Sequence, residues 1–489
     1  MAQAPGALLL SNPRWNGTAR YWASPLSSTP LRPGPDGDRD ALLAEAGERA
    51  RRYLDGVAER SVVPPPEALA ALDQFDFPLP EKGLDASQVL ALLDDVGSPA
   101  TVTTAGPRYF GFVIGGALPV AVAASWLLAA WDQNVALSVM SPPGALLDRT
   151  AMGWVRDLLG LPEETAGSFV SGATMANATC LAAARDGVLT RSGWDAGSLG
   201  LVGAPPVQVV VGQEVHTSVS KALGFVGLGR DRVLRLPVDD QGRILAENLP
   251  KLESPAIVCL QAGNVNSGAS DPFVPLIEWA HSQGAWAHVD GAFGLWAAAC
   301  PDVASEVAGV NGADSWATDA HKWLNTTYDC GIALVRDSQV LYESMRAGAA
   351  YLPAGKDRDP MSMSPQASQR ARGAEVWAVL AALSRDGGSE IVARHVALAK
   401  RFAAGLSAGG VRVLNDIRLN QVVVSFGDSS TPDAVVAAVQ RGGTCWCGPT
   451  TWQGQRGMRV SVSNWATTDA DVDRSVAAIL DAMRQAGTG

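Results

Sequence analysis

A single lysine in the stretch SWATDAHKWLNTTYDCG, residues 315–331, is the first candidate for chemistry. Lys322 stands between His321 and Trp323, and the only other charged residues of the stretch are two aspartates. A buried ammonium group is costly, so such a lysine is usually neutralised, paired with an acid or used in a covalent bond. The stretch therefore predicts a reactive site at Lys322, with Thr318 and His321 beside it.

Two further stretches carry residues that could contact a ligand. In SGATMANATCLAAAR, the small residues Gly172, Ala173 and Thr174 open a helical pattern. Backbone N–H groups at such a helix start can hold an anion, and Thr174 adds a hydroxyl; an ordinary N-cap turn is the alternative. In QEVHTSVSKALG, His216 begins another helix. It is either a structural histidine or a histidine whose ring packs flat against a ligand.

Asp290 ends the apolar run AWAHVD and precedes GAFG. An acid at the end of a buried strand needs a partner or solvent. It could pair with an arginine, bind a metal together with His288, or hold a protonated ring nitrogen. No further cluster of histidines and acids has ligand spacing, and Cys445-Trp446-Cys447 is poor zinc spacing, so no metal site is predicted.

The elements that must position these residues lie between about 106 and 375. Short apolar runs alternate there with helix-length segments, which predicts a mainly parallel sheet with helices on both faces. The fold class is therefore α/β, and ligands bind at the carboxyl ends of such strands. The predicted strands are 167–171, 207–212, 232–236, 256–262, 285–290, 314–319 and 331–336.

The candidate residues all fall at or near these strand ends, including three of the five histidines, at 216, 288 and 321. Together these residues describe a site for pyridoxal phosphate. The site would have a helix start that can hold an anion, a histidine ring that can stack on a ligand, an aspartate at the end of a strand, and an isolated lysine. Lys322 would form a Schiff base with the aldehyde. Asp290 would keep the pyridine nitrogen protonated, and His216 would stack on the ring. The phosphate would be held by Ala173, Thr174, His321 and Thr318.

The flanking regions differ in texture. Residues 1–105 are rich in proline, with helical patterns near 40–60 and 86–96, and predict an arm that lies on another part of the protein or on a second subunit. Residues 376–489 predict a small α+β domain, with helices at 389–408, 432–441 and 469–486. The uncharged segment 109–131 could span a bilayer by length. Gly115-Gly116 and Pro119 interrupt it, so we predict a core or subunit-interface helix from about Val120.

The composition excludes several classes of protein. There are 38 basic and 49 acidic residues, a formal charge of −11, and no basic run, which argues against nucleic-acid binding. The N-terminus lacks the basic region and apolar core of a signal peptide. The six cysteines of the 489 residues are sparse and mostly lie in apolar runs. They favour reduced thiols in a cytoplasmic protein without a membrane anchor.

At these residues the sequence resembles the group II pyridoxal-phosphate decarboxylases, which include aromatic amino acid, histidine and glutamate decarboxylases. The motifs that carry the resemblance are HVDGAFG and TDAHKWLN, supported by SGATMAN, QEVHTSVSKA, AGNVNSGASDP and RARGAEVWAVLAAL. The resemblance covers about 105–475. It implies a fold-type I architecture with a seven-stranded sheet, a small C-terminal domain, and a homodimer with the active site at the subunit interface.

The resemblance also implies roles for single residues. Lys322 matches the Schiff-base lysine, Asp290 the partner of the pyridine nitrogen, and His216 the stacking histidine. Ala292 matches the small residue under the ring. Asn264 stands where the family usually has a threonine near the cofactor and substrate.

One departure concerns a tyrosine on a mobile loop, which in this family is thought to return a proton to the α-carbon. Met363 stands at that place, and Tyr351 is the nearest tyrosine. Methionine cannot donate a proton. Decarboxylation of an L-amino acid, with His216 or Tyr351 as donor, is the first expectation. Oxidation to an aldehyde, aldol-type cleavage, and a non-catalytic protein that binds the cofactor are the alternatives.

The resemblance also suggests an apolar or aromatic substrate. Phe110, Phe112, Trp126 and Trp131 lie in the segment whose family counterpart lines the pocket. Their alternative role is packing in the core, which we expect for the two tryptophans.

Overall fold

The computed structural model describes residues 36–346, 359–427 and 432–487. Tyr351 therefore lies outside the described residues. The helices and strands are numbered in chain order, and they form a large domain around one sheet and a smaller domain around a second sheet.

The large sheet has seven strands in the order β1-β7-β6-β5-β4-β2-β3, which confirms the predicted fold class. All neighbours within the run β6-β5-β4-β2-β3 are parallel, and β7 is antiparallel to both β1 and β6. Each strand lies within a residue or two of its predicted position. The strands are β1 (Ala166–Val170), β2 (Gln208–Gly212), β3 (Val233–Leu236), β4 (Ala256–Gln261), β5 (Trp286–Asp290), β6 (Ser315–Asp319) and β7 (Gly331–Val335).

Helices cover both faces of this sheet, because alternate strand residues are apolar on each side. Val209 and Val211 belong to one buried cluster, whereas Val210 belongs to the other. The first face is covered by α7 (Ala173–Arg191), α9 (Thr217–Phe225) and α11 (Ser338–Met345). The second is covered by α6 (Pro142–Leu158), α10 (Phe273–Ser282) and α12 (Arg372–Ala408). The short α8 (Ala196–Leu199) follows α7.

The smaller domain has an antiparallel sheet in the order β10-β11-β9-β8, which confirms the predicted α+β character of the tail. Its core includes apolar residues from the second half of α12 and from its own two helices. Strand β10 was not predicted. The elements are β8 (Arg412–Val413), β9 (Gln421–Ser425), α13 (Pro432–Gly442), β10 (Gly448–Trp452), β11 (Gln455–Ser461) and α14 (Asp469–Gly487).

The described part of the N-terminal arm is helical and contacts the smaller domain. Val62 N–H donates to the Gly443 carbonyl at 2.8 Å. Arg108, just after the arm, donates both to the Ala58 carbonyl of the arm at 2.6 Å and to the Thr444 carbonyl of the smaller domain at 2.8 Å. Both predicted helical regions are helical. The arm contains α1 (Asp36–Gly56), α2 (Pro66–Ala71), α3 (Ala86–Leu92) and α4 (Ser98–Ala100), and α5 (Pro119–Trp131) follows it.

Helix α5 corrects one expectation. Ala121 is buried, but Trp126 and Trp131 are 47% and 46% exposed, so the tryptophans are not core residues of this chain. Within the ranges that the structure describes, no helix has both the length and the apolar character needed to cross a bilayer.

Candidate active site

A cavity of about 290 Å³ lies at the carboxyl edge of the large sheet. The loops that follow β1, β2 and β6 form its wall, because parallel strands bring their ends to one edge. The cavity brings together five of the predicted site residues that follow these three strands, namely Ala173, Thr174, His216, His321 and Lys322, and Asp319 joins them. Its lining residues are Ser171, Gly172, Ala173, Thr174, Met175, His216, Ser218, Asp319, His321 and Lys322.

Lys322 forms an ion pair at this cavity. Its Nζ lies 2.9 Å from Oδ2 of Asp319, which ends β6 and is 2% exposed. The other oxygen, Oδ1, has no hydrogen-bond donor among the described groups and lies 3.7 Å from His321 Nε2. The lysine is therefore paired in this structure. Asp319 is a site residue that sequence reasoning noticed but did not assign.

The N-terminus of α7 supplies hydrogen-bond donors at one end of the cavity. Met175 and Ala176 N–H both donate to the Gly172 carbonyl, so the first N–H groups of the helix, at Ala173 and Thr174, have no partner within it. A Cβ atom at Gly172 would lie 3.4 Å from His321 Cε1 and 3.6 Å from Asp319 Oδ1, inside the cavity. The absence of a side chain thus leaves room for an anion at a helix start.

His321 adds a donor at the same end. Cys330 N–H donates to His321 Nδ1 at 3.0 Å, so Nδ1 is an acceptor. Burial lowers the pKa of His321. Asp319 partly offsets this by raising the pKa, whereas the positive charge of Lys322 lowers it further. A neutral imidazole whose Nδ1 accepts a hydrogen bond carries its proton on Nε2. The His321 Nε2–H group is therefore free to donate to a ligand.

The other end of the site joins three side chains, two from the start of α9 and one from the end of β5. The Ser218 hydroxyl lies 2.7 Å from His216 Nδ1 and 3.2 Å from Asp290 Oδ2. Ser218 N–H also donates to His216 Nδ1, so His216 caps α9 with that nitrogen. Burial lowers the pKa of His216. The negative charge of Asp290 acts in the opposite direction, and the positive charge of Lys322 lowers this pKa further. Ala292 N–H donates to Asp290 Oδ1 at 3.3 Å.

Arg459, on β11 of the smaller domain, is a candidate that sequence reasoning missed. It is close enough to His216 to lower the pKa of that histidine. Among the described residues its guanidinium has one hydrogen bond, to the Val265 carbonyl at 3.1 Å, and no carboxylate partner. Burial lowers the pKa of Arg459 to about 10. Its only sequence signal was a charge within the apolar run GMRVSVS.

Several predicted residues lie outside the cavity lining. Asn264 uses its side-chain oxygen to accept N–H groups of Asn266 and Ser267, and its nitrogen to donate to Gln261. Thr318 is fully buried, and its hydroxyl has no hydrogen-bond partner among the described groups. Asp290 is linked to the cavity because the Ser218 hydroxyl donates to its Oδ2. Ala292 is linked to it because the Asp319 N–H group donates to the Ala292 carbonyl.

His288 is a core residue. Its Nδ1 lies 2.9 Å from Ser315 Oγ and its Nε2 lies 2.9 Å from Asn177 Oδ1. Burial lowers its pKa to about 3. Because both ring nitrogens are used, the alternative of a metal site shared by His288 and Asp290 finds no support in this geometry.

The aromatic candidates and Met363 are dispersed. Phe110 is buried and packs edge-on against Phe402, so it belongs to the core of the smaller domain. Phe112 is 62% exposed and lies beside the ring of Trp446. Met363 ends a short 3-10 helix and is 7% exposed in the cluster that covers the first face of the large sheet.

A lysine at the carboxyl edge of an α/β sheet, next to a helix start that can hold an anion, is typical of enzymes that bind an aldehyde-bearing anionic cofactor. A family model described as "Pyridoxal-dependent decarboxylase conserved domain" matches residues 66–426. The chain belongs to this family, and its cofactor is pyridoxal phosphate. The residues fit this group: free N–H donors and the cradle at Gly172 suit the phosphate, and Lys322 suits the aldehyde.

The chain is also similar to individual decarboxylases and to an aldehyde synthase. The chain is 28% identical over 282 residues to an aromatic-L-amino-acid decarboxylase of Bacillus atrophaeus, and the match covers 56% of each chain. It is 28% identical over 350 residues to a phenylacetaldehyde synthase of Arabidopsis thaliana, covering 66% of this chain and 70% of that protein. The crystal structure of Oryza sativa TDC with PLP and tryptamine has a TM-score of 0.85 at 22% identity, covering 93% of this chain and 99% of that one.

Proposed function

We propose that the chain decarboxylates an L-amino acid, with pyridoxal phosphate held in the cavity and bonded to Lys322. The observation that carries this proposal is that Lys322 lines one cavity together with the start of α7 and with His216 and Ser218, and that Ser218 donates to Asp290. The family assignment and the decarboxylases among its relatives support the same reaction.

Pyridoxal phosphate supplies an electron sink for the α-carbon of an amino acid. Asp290 would hold the proton of the pyridine nitrogen, and its two oxygens are held by Ser218 and by the Ala292 N–H group. His216, capped onto α9, would present its ring to the cofactor. Ala173, Thr174 and the Nε2–H of His321 would bind the phosphate, and the unpartnered hydroxyl of Thr318 would be a further donor. Asn264 and Ala292 hold the surrounding backbone through their hydrogen bonds.

Arg459 provides a carboxylate site for the substrate. A largely buried guanidinium without an acidic partner is costly, and a substrate carboxylate would relieve that cost. Phe112 and Trp446 pack together outside the cavity lining, so an apolar or aromatic substrate is supported by the aromatic-L-amino-acid decarboxylase among the relatives. After CO2 leaves, the α-carbon needs a proton. His216 and Lys322 both line the cavity and can hold one.

A second candidate is oxidative decarboxylation to an aldehyde. Met363 cannot donate a proton, and its burial in the core keeps it away from the cavity. One amino acid, one O2 and one water would give one aldehyde, CO2, ammonia and hydrogen peroxide. The phenylacetaldehyde synthase among the relatives supports keeping this alternative. Aldol-type cleavage would instead give a smaller amino acid and an aldehyde.

Borohydride reduction followed by peptide mass analysis tests the covalent bond. We expect a pyridoxyl group on Lys322 in the wild type and none at that peptide in Lys322→Ala. Lys221, on α9, is an internal comparison because the same digest reports it. A tag on another lysine, or no tag at all, would contradict the proposed function and favour a protein that does not use the cofactor covalently.

A panel of amino acids tests the reaction. We expect CO2 with an amine from an aromatic substrate, whereas peroxide with an aldehyde would establish the oxidative alternative. Tyr351→Phe tests that residue as a donor, and it should shift the products toward aldehyde if Tyr351 donates. Met363→Leu, which conserves volume in the core, is the control and should leave the products unchanged.

We further propose that the protein is a cytoplasmic homodimer. The six cysteines are all free and buried, which suits a reducing compartment. In this proposal residues 1–105 are a dimerisation arm, 106–375 the cofactor-binding domain and 376–489 the small domain.

A further inference from the structure

Tyr328 covers the face of His321 at the edge of the cavity. The two rings stack with centroids 4.3 Å apart and an interplanar angle of 29°. His321 is 7% exposed whereas Tyr328 is 55% exposed, so the phenol ring lies between the imidazole and solvent. Stacking of two flat rings is favourable beyond the burial of their surface.

The same short segment controls both the orientation and the proton of His321. Cys330 N–H fixes Nδ1 as an acceptor, while Tyr328, two residues earlier, packs on the ring. The imidazole therefore cannot rotate freely, and its Nε2–H points toward Asp319 and the cavity. The phosphate donor proposed above thus depends on a residue that does not itself line the cavity.

The backbone of this segment is anchored from the start of α12. Arg372 Nε donates to Asp329 Oδ1 at 3.1 Å and to the Asp329 carbonyl at 3.2 Å. Thr327 donates its hydroxyl to Glu375, which is fully buried and also accepts from Arg370 at 3.0 Å. Tyr328 is consequently held in place by its neighbours and does not need its own hydroxyl for anchoring.

The hydroxyl of Tyr328 has no hydrogen-bond partner among the described residues. The contact that the side chain makes with His321 is therefore made by its ring. Burial and the nearby Asp319 raise the pKa of Tyr328, so the phenol is neutral near pH 7. The stack therefore joins two neutral rings and adds no charge at the phosphate end of the site.

We propose that Tyr328 is a positioning residue whose ring holds His321 as a neutral Nε2–H donor for the phosphate of the cofactor. This proposal rests on the proposed function, because it requires pyridoxal phosphate in the cavity. It assigns Tyr328 to the phosphate end alone, and the bond between Lys322 and the aldehyde does not depend on it.

The test compares the binding of pyridoxal phosphate with that of pyridoxal, which lacks the phosphate. Tyr328→Ala should weaken pyridoxal phosphate about tenfold, as expected for losing a positioned hydrogen bond to a charged group. It should leave pyridoxal binding unchanged. Tyr328→Phe keeps the ring and should bind both as the wild type does. Tyr53→Ala, which removes a tyrosine from α1, is the matched control and should change neither.

Histidine NMR of the cofactor-free chain supplies a readout that a general structural effect would not reproduce. The chain has five histidines, so their ring nitrogens can be resolved. Wild type and Tyr328→Phe should show His321 neutral with its proton on Nε2 near pH 7. In Tyr328→Ala the His321 ring gains solvent, and its pKa should rise toward the ordinary value.

Three results would overturn the proposal: unchanged pyridoxal phosphate affinity in Tyr328→Ala, an equal loss for pyridoxal and its phosphate, or an equal loss in Tyr328→Phe. A wild type that binds pyridoxal phosphate but shows one of these results contradicts the role of Tyr328 alone. A wild type that does not bind pyridoxal phosphate contradicts the proposed function, and this proposal with it.

Discussion

Gly331, the first residue of β7, packs so closely against the backbone of Gly172 that a side chain at position 331 would disturb the anion end of the site. A Cβ atom at this position would lie 2.4–2.8 Å from the backbone of Gly172. Backbone atoms cannot yield as the end of a flexible side chain can, so the start of α7 would have to move. Because Ala173 and Thr174 follow directly, the displacement would reach the proposed phosphate donors.

Gly331→Ala should therefore weaken pyridoxal phosphate about tenfold or more, since the loss of a positioned donor to a charged group has that size. Isothermal titration of the cofactor-free chain measures the effect. Gly153→Ala is the control, because Gly153 lies within α6 and nothing lies within 4 Å of its added Cβ. That change should stabilise the fold by about 0.5–1 kcal/mol. Unchanged cofactor affinity in Gly331→Ala would contradict the assignment of this end of the cavity to the phosphate.

The sequence was informative about site residues that follow a strand and much less so about their partners. Lys322, His216 and Thr174 could be placed because each comes three or four residues after a predicted strand. The bridge from Ser218 to Asp290 spans 72 positions, and Arg459 approaches His216 from another domain. Such contacts depend on tertiary packing, and a periodic pattern does not encode them.

At the scale of elements, the strands of the large sheet were predictable because they are apolar on both faces. Strand β10, Gly448–Trp452, was missed because GPTTW has neither an apolar run nor strict alternation. Helix α12 begins at Arg372, seventeen residues before the predicted helix. Ser384 has non-helical angles inside it (φ 59°), and the following Gly387-Gly388 obscured its continuity in the sequence.

A pair between α10 and the segment before β6 should make stability depend on pH. His281, in the last turn of α10, lies 3.0 Å from Asp314, and this hydrogen bond raises the pKa of the histidine. The stabilisation is fully present below the unfolded pKa of about 6.5. It is lost as the pH rises through the higher folded value.

His281→Gln should therefore lower the free energy of unfolding at about pH 5.5 and have little effect at about pH 8.5. The loss should stay below about 1 kcal/mol, because the histidine is 42% exposed and solvent screens the pair. Urea unfolding at both pH values measures it. Asp314 also accepts the Ala287 N–H at 2.7 Å, so Asp314→Asn should destabilise at both values. Equal effects of His281→Gln at the two pH values would exclude the charged pair.

At the scale of the whole molecule, apolar surface remains on α5, on the segment that follows it and on the arm. Trp126 and Trp131 lie on α5 with about half of each ring exposed, and Leu127 is 60% exposed. Exposed apolar side chains that share one helix are typical of a protein interface. Other exposed apolar residues in these regions are Leu79, Leu84, Val139 and Met140. They fit the proposed homodimer, in which the arm and α5 would meet a second copy.

Leu127→Glu tests this arrangement, because a charge at the centre of an apolar interface has no partner and must be desolvated. We expect the wild type to sediment at twice the chain mass, and Leu127→Glu to sediment as a monomer at micromolar concentration. Val202→Glu is the matched control, since Val202 is 94% exposed but lies in the loop after α8. It should remain a dimer. A monomeric wild type, or a Leu127→Glu variant that stays dimeric, would show that α5 does not form the interface.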